Sequence, residues 1–322
     1  FYILFKFLIL NFIKIFHINK SFRIDNYLGL TFKDFISSRH TIKLTNNIKV
    51  ILDKMNNLNN LIVTYEGHAF ENIIFNYCNK KNIKSFGYFF SVIREFKNSI
   101  FYNLDKSYRP NIILTSGKII TQYLKKNIQF NKNNIFTFGS SKYAKKKKIN
   151  PKNKIKNKKQ KVLVCPEGLY SETISMLRLI KENSMKNNNI EYLFRMHPVI
   201  DKNLVKNEYK TNKIKISKNT DIFKDFNKCD AILYCGSSVC VQAINYGLTP
   251  IYYHKKNDLF SNDPIFEVNK FIISNEKELN NMLASSLKDN KSINKEKKNI
   301  QNYCKNYFSN FDHKVLIKNL KT

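Results

Sequence analysis

From about residue 61 to residue 279, short apolar runs alternate with stretches of helical periodicity, the pattern of strand-helix-strand units and parallel sheets. The first series predicts strands over 61–65 (LIVTY), 84–90 (KSFGYFF), 111–115 (NIILT) and 134–138 (NIFTF), with helices over 69–81 and 118–126. A second series begins at 161–165 (KVLVC) and continues with strands over 190–195 (IEYLFR), 213–217, 231–235 (AILYC), 249–253 and 271–274. Its helices are predicted over 171–185, 221–227 with Thr220 as cap, 239–246 and 276–287, followed by a helical region from about 294. The chain therefore reads as α/β in two halves, 1–140 and 161–322. The stretch 141–160 between them is dense in lysine and has no apolar period, so it reads as a linker. The last helical region has two options, staying with the second half or packing back on the first. No repeat of solenoid length is present.

At 322 residues and 43% hydrophobic, the chain can bury two cores. A net charge of +32 would ordinarily suggest a nucleic acid or an anionic membrane as partner. Lysine, asparagine and isoleucine dominate throughout, however, whereas arginine occurs only at 23, 39, 94, 109, 178 and 195. Codon bias in an AT-rich genome explains most of that charge, leaving room for peripheral contact with an anionic membrane and none for a specific nucleic-acid partner. The aromatic residues lie in apolar strand and helix patterns, without an RNP-like motif, which weighs against a basic RNA-binding protein. The six cysteines form no CxxC pair and have no zinc-ligand spacing to histidine, so reduced, mostly buried thiols and a cytosolic setting are expected. The apolar start 1–16 (FYILFKFLILNFIKIF) is interrupted by Lys6 and Lys14. It is too short to read as a spanning helix and is left as a buried helix, an interfacial anchor or part of a signal-like stretch. The chain lacks an initiator Met, so residues upstream of Phe1 could be missing.

Against this bias the eight glycines stand out. Gly67, Gly117, Gly139, Gly168 and Gly236 each follow a predicted strand, marking the carboxyl edge of the sheets, where open α/β folds bind ligands. Gly236-Ser237-Ser238 lies between a strand and a helix start. Free N-H groups, the helix dipole and two hydroxyls there can receive a phosphate, or the serines can simply cap the helix. His197-Pro198 follows a strand and Arg195. An imidazolium there can donate to a leaving phosphate, with the guanidinium as a further phosphate ligand. Pro166-Glu167-Gly168 occupies the corresponding place after strand 161–165, and Glu167 can be a base, a ribose ligand or a helix N-terminal acid. In the first half, Glu66-Gly67-His68 and Glu71 offer carboxylates and an imidazole to an acceptor hydroxyl, although Glu71 also suits a first-turn helix acid. No cluster has convincing metal-ligand spacing, and Asn262 to Pro264 reads as a turn. No cofactor is expected.

Acidic-Gly, His-Pro and Ser-Ser, in this order and about 30 and 40 residues apart on successive strand ends, resemble the motifs of bacterial sialyltransferases and polysialyltransferases. The likeness covers residues 162–253. The first half is similar only more loosely, through YEGHAFE and GYFF, to capsule and surface-carbohydrate transferases of the GT-B fold. The resemblance implies two Rossmann-like domains facing across a cleft, with a nucleotide-sugar, CMP-sugar favoured, on the second half. It implies a glycan or lipid-linked glycan acceptor on the first half, and sugar transfer without a metal ion. In that family the histidine and hydroxyls contact the donor phosphate, which assigns Gly168, Arg195, His197, Pro198, Gly236, Ser237 and Ser238 to the donor. An acid of the first motif is the family's proposed base. Pro166 stands where the first acid would be, leaving Glu167, Glu66 and Glu71 as candidates, with Glu66, Gly67, His68 and Glu71 on the acceptor side. The resemblance also implies assembly of capsule or lipopolysaccharide at the inner face of the cytoplasmic membrane. A nucleotide-sugar epimerase of the same fold is the enzymatic alternative.

Overall fold

A computed structural model describes residues 24–95, 99–102, 104–143, 159–205, 208, 213–256, 258, 261–286 and 291–321, with backbone alone for 24–37, 286, 291–293 and 321. The apolar start 1–16 and most of the lysine-rich linker lie outside the described residues. In chain order the elements are α1 (Ile24–Asp53), β1 (Asn60–Thr64), α2 (Ala69–Lys80), β2 (Lys84–Phe89), β3 (Ile112–Thr115), α3 (Lys118–Asn127) and β4 (Ile135–Thr137). There follow β5 (Gln160–Cys165), α4 (Tyr170–Lys186), β6 (Ile190–Phe194), α5 (Lys202–Val205), β7 (Ile214–Ile216), α6 (Phe223–Phe226), β8 (Ala231–Tyr234) and α7 (Val239–Tyr246). The chain closes with β9 (Thr249–Tyr253), β10 (Phe271–Ile273), α8 (Glu276–Ser286), α9 (Lys291–Lys305) and α10 (His313–Lys321). The described residues fall into two compact units, one within 1–87 and 102–111, the other within 88–101 and 112–322.

Two sheets are present, ordered β1-β2-β3-β4 and β10-β9-β8-β5-β6-β7. In the second sheet every pairing is parallel, with Val164 opposite Phe194 on one side and Leu233 on the other. Counted from β5, its strands run 3-2-1-4-5-6, the order of a doubly wound nucleotide-binding sheet whose direction of winding reverses between strands one and four. Those strands are β5 and β8. Both faces are covered, so β8 and β9 are buried along their whole length and read as continuous apolar runs. Val162, Val164, Phe194 and Leu233 share a core with Met176 and Ile180 of α4. Gly247 ends α7 in the left-handed conformation, φ 109°, where a residue without Cβ is favoured.

Three expectations needed revision. The 30-residue α1 was not foreseen, because Ile42, Leu44, Val50 and Ile51 are exposed and its apolar residues do not trace one face. Helix α6 is shorter than predicted. Its first free N-H, on Phe223, is taken by Asp221 Oδ1 at 2.9 Å and not by Thr220. The final helical region is two helices, α9 and α10.

The segment joining those two helices is held by backbone contacts. Asn245 Nδ2 donates to Cys304 O at 2.9 Å, tying the end of α9 to α7. The chain then runs along the turns after β3 and β4. Ile119 N donates to Asn306 O (3.1 Å), Ser309 N to Ser116 O (2.9 Å), Ser140 N to Ser309 O (2.9 Å) and Asp312 N to Phe138 O (2.7 Å). A Cβ on Gly117 would lie 1.9 Å from Tyr307 O, and one on Gly139 would lie 2.4 Å from Asn310 O. At Gly117 the backbone is extended and unstrained, so the restriction there is purely one of space. Gly117→Ala is therefore expected to destabilise the fold by about 1–3 kcal/mol or more, read as a lowered denaturation midpoint. A midpoint equal to that of the unmodified chain would mean that Tyr307 can withdraw at no cost.

Candidate functional site

The acidic-Gly, His-Pro and Ser-Ser turns follow β5, β6 and β8, three adjacent strands of the parallel sheet, at their carboxyl ends. Two glycines bring the turns into contact. Gly168, at φ 110°, leaves space for the His197 ring, whose Nδ1 would lie 2.6 Å from a Cβ there. Gly236 leaves space for Glu167, whose Oε2 would lie 2.0 Å from a Cβ. Val199 N donates to His197 Nδ1 at 3.3 Å, which leaves Nε2 as the protonated nitrogen of the neutral ring and orients it. His197 is half-buried, and Pro198 is exposed beside it.

Ser238 stands at the N-cap of α7 with helical φ and ψ, and its hydroxyl does not cap the helix. It accepts instead from Lys142 Nζ at 3.2 Å. Ser237 is buried, at 8% exposure. Simple helix capping therefore does not explain the two hydroxyls.

Glu167 forms an ion pair with Arg94. Its backbone N-H donates to Glu172 Oε1 at 2.9 Å, while Glu172 Oε2 is buried with no hydrogen-bond partner among the described residues. Burial pushes the Glu172 carboxyl up to about 7, with Arg94 acting in the opposite direction and Asp258 in the same one. Arg94 was not singled out from the sequence. The available signal was its survival as arginine in a chain that prefers lysine.

Arg195, expected as a phosphate ligand, has a different occupation. Nη1 donates to Asp225 Oδ2 (2.6 Å) and Asn219 O (2.9 Å), and Nη2 donates to Thr220 O (3.0 Å). Asp225 is fully buried and also accepts from Ser217 Oγ (2.8 Å) and Asn219 Nδ2 (2.5 Å). The guanidinium thus pins the loop between β7 and α6, and removing one partner of such a pair leaves an uncompensated charge.

In the other unit, the turn after β1 repeats the local design. Glu66-Gly67 and Glu71 match Glu167-Gly168 and Glu172 in spacing, and Gly67 also has positive φ, 86°. Glu71 Oε2 accepts from the backbone N-H groups of Glu66 (2.8 Å), Gly67 (2.9 Å) and His68 (2.9 Å). Burial raises the Glu71 carboxyl against the pull of these donors. Its place is thus beneath the turn, as a cap of the orphan amides. Glu66 and His68 stand above it, with His68 Nε2 and Glu66 Oε2 3.1 Å apart and the imidazole 55% exposed.

Asp263, read from sequence as a turn residue, is fully buried and ion-paired with Lys270. It accepts from Ile265 N at 3.0 Å and Tyr234 OH at 3.3 Å. Among the described residues no group of three His, Cys, Asp or Glu side chains is placed to hold a metal ion, and no helix is long and apolar enough to cross a membrane. The cysteines are free thiols, and all but Cys229 are buried.

No family model matches the chain, and no curated protein matches it in sequence. Solved structures do. A protein described as a UDP-N-acetylglucosamine 2-epimerase from Listeria monocytogenes aligns over 85% of this chain and 75% of its own, at 14% identity and TM-score 0.57. The glycosyltransferase of kitacinnamycin aligns over 83% and 76%, at 7% identity and TM-score 0.57. Arabidopsis thaliana UGT89C1 complexed with UDP aligns over 81% and 71%, at 12% identity and TM-score 0.54. At such identities the likeness is one of fold. The chain has the GT-B-like, Rossmann-like α/β architecture of these enzymes.

Glu172 supplies a test of the site's electrostatics. Its pKa in the folded chain, about 7, lies above the ordinary 4.5. Between those values the folded state keeps a proton that the unfolded state releases. The group's stabilisation is therefore complete below about pH 4.5 and is lost as pH rises to about 7, by up to about 3 kcal/mol. Glu172→Gln, which cannot ionise, is expected to gain thermal stability relative to the unmodified chain between pH 5 and pH 7.5. Melting curves of the two proteins that differ by a constant amount across this range would show that Glu172 is not held protonated.

Proposed function

We propose that the protein is a glycosyltransferase that moves a sugar from a nucleotide-activated donor, a CMP-sugar in first place, to a growing surface glycan. The observation that supports this reading best is the convergence of Glu167, His197 and the Gly236-Ser237-Ser238 turn at the β5/β8 reversal of a nucleotide-binding sheet. Likeness of fold to both a glycosyltransferase and an epimerase supports chemistry on nucleotide-sugars. Two of the similar structures are described as complexes with UDP, so UDP belongs beside CMP in any donor test.

In this reading the donor phosphate sits against the Ser237 and Ser238 hydroxyls at the N-terminus of α7. His197 Nε2-H donates to the departing phosphate oxygen as the bond to the sugar breaks. The acceptor hydroxyl attacks the anomeric carbon and gives its proton to Glu167, which Arg94 orients. Glu66 and His68 hold the acceptor from the first half, with Gly67 giving their turn its shape. Fixed protein dipoles take the part that a divalent cation would have, so the transfer is metal-independent. The capsule or lipopolysaccharide acceptor, and a peripheral place at the inner face of the cytoplasmic membrane, rest on the motif resemblance and the basic composition. The epimerase reading shares the donor site and needs no acceptor. Product analysis with and without a glycan acceptor separates the two.

His197→Ala is expected to lower transfer about 10²-fold or more in a protein whose melting temperature is unchanged. Near-normal turnover in that folded variant would remove His197 from the mechanism. Activity should also persist in EDTA. Complete inhibition reversed by Mg²⁺ or Mn²⁺ would overturn the metal-independent reading.

A further inference from the structure

Lys142 lies a few residues after β4, where the lysine-rich stretch begins, and it differs from an ordinary solvated lysine. Its backbone is fixed at both ends. Lys142 N donates to Ser140 Oγ at 3.1 Å, and its carbonyl accepts from Gln242 Nε2 of α7 at 3.1 Å. Ser140 is itself held by Ser309, through the 2.9 Å bond from Ser140 N to Ser309 O. The half-buried side chain passes over the Phe308 ring, with Nζ 5.8 Å from its centroid, and ends 3.2 Å from Ser238 Oγ. An ammonium is thereby delivered to the N-terminus of α7, the positive end of the helix dipole. A cation and the positive end of a helix dipole both suit an anion there. The adjacent Ser237 is 8% exposed, and its hydroxyl makes no hydrogen bond with a described residue. A second hydroxyl thus lies beside that of Ser238.

We infer that Lys142 is a ligand of the donor phosphate, completing with Ser237, Ser238 and the start of α7 a cradle for the phosphate of a nucleotide. This rests on the donor site proposed above and adds a residue from outside its three motifs. In the free protein the ammonium rests on the Ser238 hydroxyl, and a bound phosphate oxygen takes both donors. The contact makes the end of the segment after β4 part of donor recognition.

Calorimetric titration of the full chain with CMP and UDP, and with cytidine and uridine as phosphate-free counterparts, tests the assignment. Loss of a hydrogen bond from a charged donor commonly weakens binding about 10- to 100-fold. Lys142→Ala should lose that much affinity for whichever nucleotide the unmodified chain binds while keeping its affinity for the matching nucleoside, and Lys142→Arg should restore most of the loss. Lys142→Gln, which keeps much of the stem over Phe308, should behave like the alanine variant and bind nucleotide with a shallower salt dependence. Undiminished nucleotide affinity in the alanine and glutamine variants would overturn the inference. So would equal losses for nucleotide and nucleoside, which would give Lys142 a purely structural part. An unmodified chain that binds none of the four probes would overturn the donor-site reading itself. Nucleotide binding weakened by the paired Ser237→Ala and Ser238→Ala changes, but not by changes at Lys142, would overturn this inference alone.

Discussion

The buried Tyr307 is the point on which several separate parts of the larger unit depend. Its carbonyl lies where a Cβ of residue 117 would be, and its phenol oxygen accepts the backbone N-H of Ile93 at 3.0 Å. The first contact fixes the segment between α9 and α10 against the turn after β3. The second fixes the backbone one residue before Arg94, whose guanidinium reaches Glu167. A fully buried tyrosine whose oxygen lacked a partner would cost about 1–3 kcal/mol, so the phenol and the 92–94 backbone hold one another in place. Through this one side chain, the end of the chain helps to position a carboxylate in the candidate site.

At the site itself, the governing quantity is the volume left by absent side chains. Glu167 lies over the Cα of Gly236, and His197 lies over that of Gly168. Both contacts depend on turns at the carboxyl ends of neighbouring strands, which parallel pairing holds in fixed register. Beneath the β5 turn, Glu172 receives the Glu167 amide from inside the structure. Glu71 does the same for three amides beneath the β1 turn. The two halves thus use one local solution: a glutamate and a left-handed glycine at the turn, with a carboxyl group from the first turn of the following helix accepting the turn's amides.

Positive charge is organised in two ways. Arg94, Arg195 and Lys270 pair with Glu167, Asp225 and Asp263, and the last two of these acids are fully buried. Such pairs set local geometry, because each ion would be costly without its partner. Lys142 donates to a serine hydroxyl at the positive end of a helix dipole, the contact on which its proposed part in phosphate binding rests. The distinction lies in what surrounds each cation, and overall composition says nothing about it.

The sequence by itself determined the two α/β series, because strand runs and helical periods are local properties of the chain. Strand β9 and helix α7 fall where the pattern placed them, and the other predicted strands differ only at their ends. It also marked the three turns, since glycine, proline and serine stand out in a lysine- and asparagine-rich chain. Helix α1 escaped that reading, because its apolar residues trace no single face and Ile42, Leu44, Val50 and Ile51 are exposed. Only the tertiary structure decided what each polar side chain does. Arg195 and Glu71 look like ligands in sequence, yet Asp225 at thirty positions' distance and the amides of the preceding turn occupy them. Arg94 is marked only by being an arginine and Lys142 not at all, and they reach Glu167 and Ser238 across 73 and 96 positions of the chain. Such contacts come from strand order and from the Tyr307 crossing, both non-local, so no window of sequence contains them.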